Sequence, residues 1–457
     1  MNRVAGRSWV VLLLVFALIA GMAFFVMEYT NNARAWVFFD GSPHVYSGSK
    51  PAEGLLVDRE GKLLLDVSGS WNYSSDPAIR ESTLHWVGDR LGNISAPILS
   101  RYADEMTAFD LLNGIYTYGS QTGRMELTLS AKAQVAALEA LGDRKGTVAV
   151  YNYKTGELIC AVTTPTYDPD RIPDFTQDSD GIYDGVYLNR FSQAAYTPGS
   201  IFKLVTAAAA LETIPDILEQ SFTCTGELEV GGGTVSCETA HGELNFEHAL
   251  VYSCNCSFAQ IAQQVGGERL QRYADTFGIT VSISFDGITT AAGSLEAAGA
   301  APYELAWSGI GQHTDLVNPC QYLSFVGAIA GGGTGVLPHV VQEITVGGSR
   351  TYQATAETTG RIMSVSTAEK LKEMMGLCVE VKYGAYQFPD VTVCAKSGTA
   401  EKDGDATSNA LFTGFVDDPD YPLAFIAVVQ EGGYGTDACI PILNRVLTVC
   451  MEVLDGA

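Results

Sequence analysis

The chain has 457 residues, a length typical of two or three domains, and 47% of its residues are hydrophobic, which is ample for buried cores. Its formal net charge of −25 at pH 7 argues against a nucleic-acid partner, because the phosphates would repel it. The 10 cysteines allow disulfides or metal ligation if the chain lies outside the cytosol.

The first predicted element is an uncharged apolar helix from Trp9 to Met27. A helix of this length spans about 28 Å, enough to cross the hydrocarbon layer of a membrane. Arg3 and Arg7 precede it, which predicts that the N-terminus lies inside the cell and the rest of the chain outside. A cleaved signal peptide with a weak Ala-x-Ala site at 33–35 is the alternative, but the apolar run exceeds the usual length of about 7–15 residues. We therefore predict a retained, single-pass membrane anchor.

Short strands and helices are predicted from residue 54 onwards. Gly54–Val67 has the pattern of a β-hairpin within a small, irregular α+β module. Met125–Ser130 is strand-like, and Ala131–Leu141 has the spacing of an amphipathic helix. Gly146–Val162 predicts a second hairpin, with a turn at 154–156.

The second half of the chain alternates apolar helices with strands. The segment 201–211 is apolar nearly all round, which predicts a helix buried on every side. Further helices are predicted at Glu247–Val265, Leu270–Phe277, Pro319–Ala330 and Ala368–Glu380. Three β-rich runs follow, at 391–401, 410–417 and 423–430. Their short links predict an antiparallel meander, and an amphipathic helix at 440–454 would cover one of its faces.

Three short motifs have the residue types of a nucleophilic site. In the first motif Ser200 follows a Pro-Gly pair at a predicted helix start, and Lys203 lies three residues later on the same face. A serine hydroxyl needs a neighbouring base, and burial would lower the pKa of Lys203 enough for it to accept the proton. The helix N-terminus would add peptide N–H groups for an oxyanion. Ser-x-x-Lys also occurs at 47–50, so this motif alone is weak.

The second and third motifs follow in the chain order that this chemistry requires. Ser253 and Asn255 form a Ser-x-Asn motif within a predicted helix. In the third motif, which follows a β run, a glycine would let a ligand backbone approach the strand closely. This third motif consists of Lys396, Ser397, Gly398 and Thr399. The joint occurrence of all three motifs strongly indicates acyl transfer through a serine.

With these motifs the sequence resembles the class B penicillin-binding proteins, the monofunctional peptidoglycan D,D-transpeptidases, from about residue 54 to the C-terminus. The likeness extends to 189–203, to 309–312 with 318–319, and to the closing strands. It implies an α+β fold of the penicillin-binding and serine β-lactamase type, in which an antiparallel sheet carries helices on both faces. The short N-terminal module favours the compact subgroup. The implied division is a cytoplasmic tail (1–8), a transmembrane anchor (9–28), a membrane-proximal α+β module (29–135) and a transpeptidase domain (136–457).

The resemblance also implies roles for the residues of the motifs. Ser200 would attack the penultimate D-Ala carbonyl of a stem peptide, Lys203 would take its proton, and Ser253 would relay a proton to the leaving amine. Asn255 would bind the substrate amide, and the third motif would bind the terminal carboxylate. The peptide N–H groups of Ser200 and Thr399 would form the oxyanion hole. A second stem peptide would then resolve the acyl-enzyme into a cross-link, and β-lactams would trap the same serine.

The partners implied by the resemblance are peptidoglycan stem peptides, β-lactams, the membrane, and a SEDS-type glycan polymerase that docks near the anchor. No cofactor is implied for catalysis. Two other functions stay open: a D,D-carboxypeptidase or β-lactamase-like hydrolase that uses water as acceptor, and a non-catalytic β-lactam sensor or scaffold. The sequence also leaves open whether the protein serves division, elongation or sporulation.

A cluster of cysteines and one histidine lies between the first two motifs. Cys224, Cys237, His241 and Cys254 have the spacing C-x12-C-x3-H-x12-C. Three thiolates and one imidazole suit a tetrahedral structural Zn²⁺, and the resemblance adds that some elongation-type relatives carry a metal in this region. A Cys224–Cys237 or Cys237–Cys254 disulfide is an equal alternative, and free thiols are a third. The cysteines in apolar runs are predicted to be core residues: Cys160, Cys320, Cys378, Cys394, Cys439 and Cys450.

Overall fold

The structure is a computed structural model that describes residues 2–37, 54–68, 71–106, 109–110, 115–116, 123–400 and 407–456. The Ser-x-x-Lys copy at 47–50 lies outside these ranges. The helices are α1 (Asn2–Val37), α2 (Pro77–Val87), α3 (Pro97–Arg101), α4 (Ala131–Leu141), α5 (Lys203–Thr213), α6 (Phe246–Val251), α7 (Asn255–Val265), α8 (Gly267–Thr276), α9 (Pro302–Ser308), α10 (Pro319–Ala330), α11 (Val365–Cys378) and α12 (Gly435–Asp455).

The strands are β1 (Gly54–Val57), β2 (Leu63–Asp66), β3 (Asn72–Tyr73), β4 (Phe109–Asp110), β5 (Ile115–Tyr116), β6 (Gly123–Leu127), β7 (Gly146–Asn152), β8 (Leu158–Thr164), β9 (Ser221–Cys224), β10 (Glu227–Val230), β11 (Gly233–Ser236), β12 (Gly242–Asn245), β13 (Ser284–Phe285), β14 (Ile288–Thr289), β15 (Thr334–Val336), β16 (Val341–Val346), β17 (Ser349–Gln353), β18 (Thr358–Arg361), β19 (Val393–Ala400), β20 (Asn409–Val416) and β21 (Leu423–Val429). Both predicted hairpins form, as β1–β2 and β7–β8.

The apolar N-terminal helix α1 has the dimensions of a membrane span. Within it, Arg7–Thr30 is 24 residues long and apolar enough to cross a membrane, and none of its most apolar part is buried against the rest of the chain. It is the single such helix in the part of the chain that the structure describes. The helix therefore fits the one span predicted for residues 9–28.

A six-stranded sheet joins the beginning of the chain to a much later segment. Its strand order is β17-β16-β6-β1-β2-β3. β1 pairs in parallel with β6, and β6 pairs antiparallel with β16 in a register that sets Leu127 opposite Val341. The predicted membrane-proximal module thus shares its sheet with strands from the predicted transpeptidase domain. The boundary at 135/136 stays a prediction.

A five-stranded antiparallel sheet forms the centre of the larger part of the protein. Its strand order is β19-β20-β21-β7-β8, which contains the predicted meander and sets Lys396 opposite Thr413. Every residue of β20 and β21 is buried, as expected for strands covered on both faces. Helices α4 and α12 pack together on this sheet, and α10 and α11 also pack against it. The predicted α+β fold class is confirmed.

The predicted helices around the site differ from the observed ones at their ends. Ser200 lies in a 3₁₀ turn, Gly199–Phe202, and the α-helix α5 begins only at Lys203. The helix predicted at Glu247–Val265 is broken into α6 and α7, because Ser253 adopts a left-handed φ of 53°. Cys254 then caps α7, since its Sγ accepts a hydrogen bond from the Ser257 N–H. Hydrophobic periodicity continues across this break, so the sequence pattern did not show it.

Candidate active site

The turn that carries Ser200 lies flush against strand β19. Gly199 has a φ of 54°, and its N–H donates to the Gly311 carbonyl at 2.8 Å. A Cβ on Gly199 would lie 2.3 Å from the Thr399 carbonyl oxygen, closer than any real contact. Glycine is therefore needed at position 199 for two reasons: it adopts the left-handed backbone conformation, and it lets the first motif approach the third closely.

Lys203 connects the first motif to the second. Its buried Nζ donates hydrogen bonds to Ser200 Oγ at 2.8 Å, to the Ser253 carbonyl at 2.7 Å and to Asn255 Oδ1 at 2.7 Å. Burial, together with the positive charge of Lys396, lowers the pKa of Lys203 to about 7. Near neutral pH a neutral amine is therefore accessible beside the Ser200 hydroxyl, as a general base requires.

Lys396 connects the second motif to the third. Its Nζ is buried and donates to Ser253 Oγ at 3.0 Å and to the Ser397 carbonyl at 2.9 Å. Burial lowers the pKa of Lys396 to about 8. Because Lys203 Nζ also lies 3.2 Å from Ser253 Oγ, the Ser253 hydroxyl bridges the two lysines. The arrangement forms a continuous proton path from Ser200 to Ser253.

Strand β19 is an edge of its sheet, and its free side faces the cleft. The Ser397 N–H donates to the Tyr383 hydroxyl at 2.9 Å, so it points away from β20. Alternate residues of an antiparallel strand direct their N–H groups to the same side, so the Thr399 N–H also points away from β20. The Thr399 carbonyl lies against Gly199, which precedes Ser200 in the chain. The free peptide group of Thr399 therefore faces the nucleophile's turn.

Both polar atoms of the Asn255 side-chain amide form hydrogen bonds within the protein. Its Oδ1 accepts from Lys203, and its Nδ2 donates to the Ser236 carbonyl at 2.9 Å. The Asn255 peptide N–H donates to Cys237 Sγ at 3.3 Å. The second motif is thus tied to the end of β11 and to the cysteine cluster.

All the site residues predicted from the three motifs lie together in one cleft, and two more contribute. Tyr383 binds Ser397 through its hydroxyl, and Phe258 lies with its ring 5.9 Å from Lys203 Nζ. Sequence reasoning missed both, because neither belongs to a motif or stands at a diagnostic spacing. Gly311 was noticed in the sequence, but only as part of a family-like segment.

The four predicted metal ligands also come together. The ligand atoms of Cys224, Cys237, His241 and Cys254 all lie within 4.8 Å of one another. His241 Nδ1 is 3.6 Å from Cys224 Sγ and 3.5 Å from Cys237 Sγ. Cys237 Sγ and Cys254 Sγ are 3.9 Å apart, whereas a disulfide bond is about 2.05 Å long. The hydrogen bond between the Cys237 and Cys254 thiols lowers the pKa of Cys237.

The remaining cysteines lie in the core. The six that were predicted to be core residues are all buried, which confirms that interpretation: Cys160, Cys320, Cys378, Cys394, Cys439 and Cys450. Cys256, to which no role was assigned from the sequence, is buried as well. Burial raises the pKa of the Cys378 thiol to about 11, so it stays protonated and unreactive at neutral pH.

Known proteins share this fold. The chain is 26% identical over 338 residues to the peptidoglycan D,D-transpeptidase PbpA of Mycolicibacterium smegmatis, covering 68% of each chain. The ceftriaxone acyl-enzyme complex of penicillin-binding protein A from M. tuberculosis has a TM-score of 0.74 at 22% identity, covering 87% of this chain and 98% of that one. A chain of a peptidoglycan synthase complex that coordinates polymerization and crosslinking has a TM-score of 0.62 at 24% identity, covering 73% of this chain and 63% of that one.

A model of one protein family matches most of the folded part of the chain. The family is described as the penicillin binding protein transpeptidase domain, and the match covers residues 146–448. These residues include the five-stranded sheet and all three motifs. The chain therefore belongs to the penicillin-binding protein transpeptidase family.

Proposed function

We propose that this protein is a peptidoglycan D,D-transpeptidase that acts through an acyl-enzyme on Ser200. The observation that carries this proposal is the hydrogen-bonded series Ser200–Lys203–Ser253–Lys396, in which each residue contacts the next. In the proposed reaction Ser200 is the nucleophile, Lys203 the base and Ser253 the proton relay. The family match and the similarity to PbpA support the same activity.

Acylation follows from the geometry of this series. The neutral amine of Lys203 takes the Ser200 proton as Oγ attacks the penultimate D-Ala carbonyl, and a tetrahedral oxyanion forms. The peptide N–H groups of Ser200 and Thr399 stabilise this oxyanion. The C–N bond then breaks, and the leaving D-Ala amine receives a proton through Ser253, which Lys203 reprotonates. The amine of a second stem peptide attacks the ester by the reverse steps and forms the cross-link.

The other motif residues bind the donor peptide. Asn255 holds the peptide amide next to the scissile bond. Lys396 places a positive charge near the terminal carboxylate, and the hydroxyls of Ser397 and Thr399 donate hydrogen bonds to it. Gly398 lets the turn that carries Ser200 lie against β19, because a Cβ there would be 2.7 Å from the Pro198 carbonyl oxygen. β-Lactams share the carboxylate and the reactive amide, so they acylate the same serine.

Labelling with a fluorescent penicillin tests this proposal. Ser200→Ala removes the nucleophile and is expected to abolish covalent labelling, whereas the exposed Ser282→Ala is a control that keeps it. Release of the label to an added D-amino acid amine, faster than to water, would distinguish a transpeptidase from a hydrolase. Full labelling of Ser200→Ala would refute the mechanism.

We also propose that Cys224, Cys237, His241 and Cys254 bind a structural Zn²⁺. In a tetrahedral site with Zn–S bonds of about 2.3 Å, sulfur atoms lie about 3.8 Å apart, and sulfur and nitrogen about 3.6 Å apart. The observed separations of 3.9, 3.6 and 3.5 Å agree with this geometry. The ion would join β9, the segment after β11 and the start of α7, and would take no part in the reaction.

Metal analysis of the purified protein separates zinc from the alternatives. One zinc per chain is expected, falling below about a tenth in Cys224→Ser, with the buried Cys160→Ser as a control that retains it. Zinc far below one per chain in the wild type, together with a mass two hydrogens lower, would establish a disulfide instead.

We propose that α1 anchors the protein with its N-terminus inside the cell and the catalytic part outside. Arg3 and Arg7 before the apolar segment support this orientation. The proposed partner is a membrane-embedded SEDS-type glycan polymerase, supported by the similarity to a chain of a peptidoglycan synthase complex. Protease added to intact spheroplasts should digest the catalytic part, and its complete protection would refute the orientation.

A further inference from the structure

The segment between α11 and β19 contains a wide helical turn beside the active site. After Cys378, Val379–Tyr383 form a single π-helical turn, and Gly384 ends it with a φ of 82° and an N–H that donates to the Val379 carbonyl at 2.7 Å. Such turns occur often at functional sites because they redirect one side chain. Here the redirected side chain is Tyr383, whose buried ring meets Phe412 edge-on, with centroids 5.2 Å apart.

The hydroxyl of Tyr383 makes two contacts with Ser397 of the third motif. It accepts a hydrogen bond from the Ser397 N–H at 2.9 Å, and it lies 2.9 Å from Ser397 Oγ. In the second contact either hydroxyl can be the donor, and in the arrangement in which Tyr383 donates, its single proton is directed to Ser397 Oγ. Burial raises the pKa of Tyr383, which keeps this proton in place at any working pH. In that arrangement the Ser397 oxygen is occupied as acceptor, and the Ser397 hydroxyl keeps its own proton for a ligand.

The same turn also contacts Tyr252, the residue before the second motif, and this contact holds the turn in position. Lys382 Nζ lies 5.4 Å from the centre of the Tyr252 ring, and Tyr252 immediately precedes Ser253. A cation is attracted to the face of an aromatic ring, so the contact between Lys382 and Tyr252 stabilises the turn on this side. On the other side, the contact of Tyr383 with Ser397 of strand β19 stabilises the turn. The turn thus connects two walls of the cleft.

We propose that Tyr383 is a positioning residue, which fixes the Ser397 hydroxyl so that its proton faces the terminal carboxylate of the donor peptide or of a β-lactam. This inference rests on the proposed function, in which Ser397 binds that carboxylate. It assigns to a residue outside all three motifs a part in recognising the substrate. Tyr383 acts through Ser397 and touches neither the scissile bond nor the nucleophile.

Removal of the single hydroxyl tests the proposal. Tyr383→Phe keeps the ring against Phe412, and Tyr386→Phe is a matched control, because Tyr386 is 88% exposed in the same segment. The probes are benzylpenicillin, which has a free carboxylate, and its methyl ester. We expect Tyr383→Phe to lower the second-order acylation rate constant about tenfold for the free acid and less than twofold for the ester, since a hydrogen bond to a charged group is lost only with the acid.

A double-mutant cycle with Ser397→Ala shows whether the effect passes through Ser397. Once Ser397→Ala has removed the Oγ, Tyr383→Phe is expected to add less than a further twofold loss. Equal losses with acid and ester, full additivity in the cycle, or wild-type rates in Tyr383→Phe would each overturn the proposal. Failure of the wild-type protein to be acylated at all would instead refute the proposed function.

Discussion

At the scale of single residues, the site is governed by two buried lysines that share one hydroxyl. Lys203 and Lys396 both lie within 3.2 Å of Ser253 Oγ, and neither is exposed. Two ammonium groups so close disfavour each other's charge, and no buried carboxylate contacts either of them among the hydrogen bonds of the described residues. The favourable state near neutral pH therefore has a neutral Lys203 as base and a charged Lys396 for the anionic ligand.

The rate of acylation should consequently depend on pH in a bell-shaped manner. Because the pKa of Lys203 is lowered to about 7, its neutral form is lost as the pH falls below that value, and the rate constant for acylation by benzylpenicillin should fall with it. Because the pKa of Lys396 is about 8, its charge is lost as the pH rises above that value, and carboxylate binding should weaken. Stopped-flow acylation between pH 5 and 10 measures both limbs; a rate independent of pH from 5 to 9 would contradict this assignment.

At the scale of elements, the site depends on breaks in regular structure. The left-handed Ser253 separates α6 from α7, and this break directs its carbonyl toward Lys203 at 2.7 Å. In an uninterrupted helix that carbonyl would accept a backbone N–H four residues later. The 3₁₀ turn at Gly199–Phe202 likewise places Ser200 beside β19. A regular helix that starts at Ile201 would not need this contact.

Replacement of Gly199 tests this close packing of elements. Gly199→Ala should abolish penicillin acylation and lower the melting temperature, because the new methyl group would collide with the Thr399 carbonyl. Gly332→Ala is the matched control: its φ of 66° is similar, but nothing lies within 4 Å of the added carbon. The control should cost only the strain of a left-handed alanine, about 1 kcal/mol, and keep full acylation. Equal behaviour of the two variants in thermal melts and labelling would show that the contact is unimportant.

At the scale of the whole molecule, the early and late parts of the chain depend on each other. β6 lies between β1 and β16, so the six-stranded sheet needs residues from both predicted domains. Leu127, Val341 and Ile344 are fully buried at this junction. The predicted boundary at 135/136 therefore divides a continuous sheet and a continuous core.

Truncation experiments should show this dependence. A chain that starts at Gly54 and lacks α1 is expected to fold and to be acylated by penicillin at the wild-type rate. A chain that starts at residue 136 should be insoluble or melt well below the longer one, because β16 would lose its partner and expose an apolar edge. Thermal melts and labelling of the two chains provide the comparison, and equal stability would contradict it.

The sequence predicted the local elements well, for physical reasons. Ala131–Leu141 and Pro319–Ala330 were predicted with the observed ends, and in the structure Ser130 and Asn318 cap their N-termini. The motif residues could be selected because acyl transfer requires those residue types in that order.

Long-range contacts and local breaks could not be predicted in the same way. The pairing of β6 with β16 depends on complementary surfaces formed by the folded chain, which no periodicity in either strand encodes. The contact of Tyr383 with Ser397 depends on a π-helical turn that the hydrophobic pattern of α11 does not mark.

The sheet that joins β6 to β16 also orders events during synthesis. The ribosome produces β6 early, but its antiparallel neighbour β16 emerges only after Ser200, Lys203 and Ser253 have been translated. Until then the first strands have an unpaired edge, which is prone to aggregation. A late-forming contact of this kind, between distant parts of the chain, slows folding. The sheet that contains the first strands of the chain is thus begun early and is among the last parts of the fold to be completed.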